Sequence, residues 1–104
     1  MYRVTTPTHT FTLPESTNSY SVIQIAYRQK AVDLVKQYED GTAPSGMELD
    51  GNDVIITLTQ EETKQFAPGS AKVQVRALTT QGEALASKIF TIYIDDVINE
   101  EVLD

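Results

Sequence analysis

Cysteine and tryptophan are both absent from these 104 residues, and histidine occurs once. Without thiols there is no disulfide framework, no thiolate nucleophile and no Cys-based zinc site, so stability has to come from packing, and the redox compartment stays undetermined. Basic residues are scarce too: eight Lys and Arg stand against fifteen Asp and Glu, a formal charge of -7. That balance opposes the phosphate-neutralising surface that nucleic-acid binding requires, which argues against DNA or RNA as the main partner. No apolar run approaches the roughly 18 residues that span a bilayer. The opening MYRVTTPTHTF has neither a basic n-region nor an apolar h-region, so neither a membrane partner nor a Sec signal is expected.

What is present is ordinary for a globular chain. Hydrophobic residues make up 40% and charged residues 22%, enough apolar surface for one packed domain over residues 1–104. The dominant periodicity is two. Phe11 and Leu13 alternate with Thr10 and Thr12, a half-buried strand stopped by Pro14. Ile23, Ile25 and Tyr27 alternate with Val22, Gln24, Ala26 and Arg28. In KAVDLVKQY, Val32, Leu34 and Tyr38 point inward if the segment is a strand; Ala31, Leu34, Val35 and Tyr38 also fit a helical stripe, but the short corner after the preceding strand favours a hairpin. Three of the five glycines fall in EDGTAPSGMELDGND, an exposed loop containing a second hairpin, with Asp50-Gly51-Asn52 as a positive-φ turn between Met47–Leu49 and the strand from Val54. Val54, Ile56 and Leu58 share one face of that strand, and Val73, Val75 and Ala77 share one face of the next. The run EALASKIFTIYI is expected to place Ala86, Phe90, Ile92 and Ile94 on one side, with Leu85, Ile89 and Tyr93 on the other.

Between two of these strands lies TQEETKQFAPG. Thr59 is placed to cap a short helical turn and Glu62 to close a capping box. Phe66 is driven into the core, and Pro68-Gly69 releases the next strand. Such a connection carries the chain from one sheet to the other in many immunoglobulin-like sandwiches. The expected fold is therefore all-β: an immunoglobulin-like antiparallel β-sandwich of six or seven strands with one short helical crossover. Residues 95–104 form a short acidic C-terminal tail or helix, since Ile94, Val97, Ile98 and Val102 recur at nearly helical spacing; the tail either packs on the sandwich or orders on a partner.

Few residues group into chemistry. His9 has no second histidine and no Ser or Cys motif beside it, so a rim position explains it. The DGND cluster lacks the spacing and closing glutamate of a calcium loop. Glu61 and Glu62 at a helix start are stabilised as anions, which suits capping rather than acid catalysis. Asp95 and Asp96 read as charges that discourage strand pairing at a sheet edge. No glycine pattern cradles phosphate. Tyr20, Tyr27, Tyr38 and Tyr93 could form a sugar-stacking platform if they shared a face. No catalytic, cofactor-binding or metal-ligating residue is assigned and no cofactor is expected; possible partner contacts are Asp95, Asp96, Val97, Ile98, Val102 and Leu103.

From about Thr6 to Ile98, TPTHTFTLP and the later series L-T-Q-E-E-T, F, G, V-x-V-R, G, A-x-A-S resemble small uncharacterised proteins encoded in prophages of Gram-positive bacteria. They are also similar to the N-terminal sandwich domain of phage upper baseplate proteins. The resemblance implies a non-enzymatic phage structural protein, tail- or baseplate-associated, acting through protein–protein contacts with other phage structural proteins or with itself. It implies synthesis in the bacterial cytoplasm and, if the protein is particle-associated, a place in the virion tail. The resemblance does not extend to the long helical linker or receptor-binding region of those baseplate proteins, so no role in adsorbing to a host is carried over. The alternative is a carbohydrate-binding or adhesion module.

Overall fold

The computed structural model describes residues 1–104. Eight strands and one short helix follow one another as β1 (Thr8–Thr12), β2 (Tyr20–Gln29), β3 (Val32–Glu39), β4 (Met47–Asp50), β5 (Asp53–Thr57), α1 (Gln60–Lys64), β6 (Gly69–Thr79), β7 (Ala84–Ala86) and β8 (Phe90–Ile94). They form an antiparallel sandwich of two sheets, ordered β1-β5-β4 and β3-β2-β6-β7, with β8 also paired to β6. In the lettering of immunoglobulin domains this is B-E-D against C′-C-F-G, with α1 in the E-to-F crossover. The expected six or seven strands become eight because the last long run divides into β7 and β8.

Alternation decides which side chains meet. Ile23, Ile25 and Tyr27 of β2 face Val54 and Ile56 of β5, and all five are fully buried. Val73 and Val75 of β6 and Ile94 of β8 extend the same cluster. Burying each such side chain contributes roughly 1.5–3 kcal/mol. In β3, Val32, Leu34 and Tyr38 face inward as the strand reading requires, and so does Lys36.

The turns follow their residues. Gly51 adopts φ +59 in the β4–β5 hairpin, where Asp50 pairs with Asp53. Gly46 has φ +83, and a Cβ there would lie 2.4 Å from the carbonyl oxygen of Thr57, so only glycine fits.

The crossover is built as its sequence dictates. The Thr59 side chain accepts from the Glu62 backbone N–H at 3.1 Å, and Glu62 Oε1 accepts from the Thr59 N–H at 2.9 Å. Phe66 is 1% exposed. Three polar fastenings were not legible in the sequence. The Gln29 side chain exchanges hydrogen bonds with the Ala67 backbone, donating to its carbonyl at 2.8 Å and accepting from its N–H at 2.7 Å. Lys36 reaches Glu62 at 2.6 Å. Burial alone would raise the Glu62 pKa, but Lys36 and the Thr59 N–H outweigh it and hold the carboxyl below its ordinary value. Arg3, itself buried, donates to the carbonyls of Phe66 and Lys64 and to the carboxylates of Asp96 and Glu100.

Candidate functional site: an open apolar cleft

Two edges of the sandwich do not meet. Sheet β1-β5-β4 has three strands and its neighbour five, so β7 and β8 project past β1 with no strand above them. The gap is a cleft of about 820 Å³ walled by β1 on one side and by β6, β7 and β8 on the other. Phe11 and Leu13 enter from β1, and Leu85, Phe90 and Ile92 from the opposite wall. None of its 18 lining residues is Asp, Glu, Lys or Arg.

A one-residue irregularity shapes the second wall. Arg76 is opposite Ala86 and Val73 opposite Phe90, so three steps along β6 face four along the neighbouring chain. This is a β-bulge, and an extra residue reverses the alternation. Leu85, expected on the face opposite Phe90, therefore shares the cleft with it: Leu85 lies opposite Ala77, Phe90 opposite Val73 and Ile92 opposite Ala71, all inward positions of β6. Ser87 holds the bulge. Its N–H donates to the Val75 carbonyl at 2.8 Å, and its Oγ accepts from the Val75 N–H at 3.0 Å, replacing a ladder bond with a side-chain one. The serine within a β-run was the one local signal of this. Leu85 and Phe90 remain 36% and 38% exposed.

His9 sits at the cleft with Nδ1 2.7 Å from the phenol oxygen of Tyr27. The rings stand 5.7 Å apart, tilted by 37°. Burial lowers the His9 pKa below its ordinary value. Burial first, and then the charge of Glu62, push the Tyr27 phenol well above its ordinary range. Both shifts favour the neutral forms, and the two side chains share one hydrogen bond whose donor is set by the imidazole tautomer.

The tail adopts no helix. The Asp95 N–H donates to the Met1 carbonyl at 2.7 Å and its carbonyl accepts from the Arg3 N–H at 2.9 Å, a parallel bridge that covers the end of β8. Asp96 accepts from Arg3 at 2.9 Å, and Arg3 and the Val97 N–H lower its pKa. The backbone of Leu103 is held by the side-chain amide of Gln60, at 2.8 Å to its N–H and 2.6 Å to its carbonyl. Val97 and Val102 are half-buried, while the side chains of Ile98 and Leu103 point to solvent. None of these six residues lines the cleft.

The four tyrosines do not make a platform. Tyr20 and Tyr27 are buried, Tyr38 packs against the core from β3, and Tyr93 is exposed on β8. Among families, curated proteins and solved structures, nothing matches this chain.

Proposed function

We propose that the protein is a non-enzymatic structural module of a phage tail or baseplate that works through protein–protein contacts with other particle proteins. The setting rests on the sequence resemblance. The mode of action rests on one observation: an uncharged apolar cleft of about 820 Å³ opens beside the edge of β1. Contiguous exposed apolar surface marks interaction sites on soluble proteins, and an adjoining strand edge adds main-chain hydrogen bonding to what a protein partner gains there. The sugar-binding alternative draws no support from the dispersed tyrosines.

The test is quantitative mass spectrometry of purified phage particles and tail intermediates from a producing strain. The expected result is this chain at a fixed copy number per tail. Absence from both particles and intermediates refutes the proposal.

A further inference from the structure

We infer that the cleft receives a single extended segment of a partner protein, which adds to the free edge of β1 as an extra strand and seats uncharged apolar side chains against Phe11, Leu85, Phe90 and Ile92. The inference deepens the assembly reading above and rests on it.

The edge is open and regular. The Leu13 N–H bonds the Asn52 carbonyl at 2.8 Å and the Leu58 N–H bonds the Pro7 carbonyl at 3.1 Å. Antiparallel pairing alternates, so the odd-numbered residues of β1 turn their backbone groups toward β5, and Thr8, Thr10 and Thr12 turn theirs outward. No strand pairs with that side. In immunoglobulin-like lettering it is the flank of strand B, where strand A would lie.

The other edges are blunted in the ways that discourage pairing. Strand β3 carries Asp33 and Glu39. Strand β4 has four residues, two of them Glu48 and Asp50. The β7–β8 edge is broken by the bulge, guarded by Lys88, whose ammonium lies 5.5 Å from the Phe90 ring centre, and covered at its end by Met1–Arg3. Strand β1, THTFT, has no charge, proline or bulge.

Charge selects the occupant. The chain carries eight basic and fifteen acidic residues, yet none of them lines this cleft. An ionised side chain entering it would lose hydration and find no counter-charge. Apolar residues at alternate positions of a strand match both the wall and the edge, and five residues of β1 at about 3.4 Å each give a partner strand two or three inward side chains. A second copy's β1 is the poorer occupant: its His9 is already hydrogen-bonded to Tyr27 of its own sheet, so it brings fewer free inward side chains to a neighbour's β7 and β8 than an unpaired segment does.

The probes are blocked, uncharged seven-residue peptides alternating threonine with valine, leucine or phenylalanine, with central-proline versions as controls, added to the isotopically labelled full chain. Expected are saturable amide shifts over residues 8–13 and 85–92, and exchange at the Thr8, Thr10 and Thr12 amides slowed about tenfold or more. Thr10→Pro removes an outward N–H and leaves the β5 ladder whole; it should weaken binding about tenfold at unchanged melting temperature, while Thr10→Val binds as the parent does. Three results overturn the inference: no peptide binds, cleft shifts occur without β1 amide protection, or protection grows with protein concentration and no peptide. The particle experiment is independent of these. A chain present in particles whose β1 amides stay open is an assembly protein that docks elsewhere, and one absent from particles that still takes the peptide is a strand receptor in another setting.

Discussion

Replacing Phe66 with alanine tests the account of the crossover. The ring is 1% exposed and belongs to the same core cluster as Leu58, Ile25 and Ile94. Truncation forfeits the transfer free energy of the ring and leaves a cavity that neighbouring side chains fill only in part, together about 3–5 kcal/mol. A domain of this size is typically stable by about 5–15 kcal/mol, so Phe66→Ala removes a large share of the total. At about 4–8 °C per kcal/mol the melting temperature should fall by roughly 12–40 °C, and with an unchanged m-value of about 2 kcal/mol/M the urea midpoint should drop by about 2 M. Phe66→Leu, which refills most of the volume, should cost only about 1–2 kcal/mol. Chemical denaturation of the three proteins side by side reads the series. A loss below about 1 kcal/mol for the alanine variant would refute the reasoning. It would mean that the turn is fastened by its polar ties, Gln29 to Ala67 and Arg3 to the carbonyls of Lys64 and Phe66, and that the ring is a passenger.

Thr59→Ala removes the acceptor for the Glu62 N–H and should destabilise by about 1 kcal/mol in the same urea titration. The pKa of His9 is lower in the folded chain than its ordinary 6.5, so the unfolded chain takes up the proton first as pH falls. Its contribution to stability is complete above 6.5 and is lost as pH drops through the lowered folded value; urea midpoints between pH 7.5 and 5.5 should decline in the parent and run flatter in His9→Gln. Truncation after Asp95 keeps the buried Ile94 and removes Asp96 and Glu100 from Arg3. The truncated chain should retain the far-UV spectrum of the sandwich with a modest fall in melting temperature, whereas global unfolding would show the tail to be part of the core.

Features that depend on residues close in sequence are legible in the sequence. Period-two alternation placed Ile23, Ile25, Tyr27, Val54, Ile56, Leu58, Val73 and Val75 inside, because the pleat sends successive side chains to opposite faces whatever the partner strand. The capping box at Thr59 and Glu62 and the turn at Gly51 are local geometry, so the sequence determined them by itself. The cleft was hidden because it depends on how many strands each sheet holds and on a bulge at Ser87 that moves Leu85 to the inner face. A single residue out of step leaves almost no trace in an alternation pattern. Arg3, Gln29 and Lys36 carry no local signal of the crossover they fasten, and the tail took an extended path along Arg3 and Gln60 where its spacing also allowed a helix. The partners that tie them to the crossover and the tail lie from 26 to 97 residues away, and only the closing of one sheet over the other brings such distant groups within hydrogen-bonding reach.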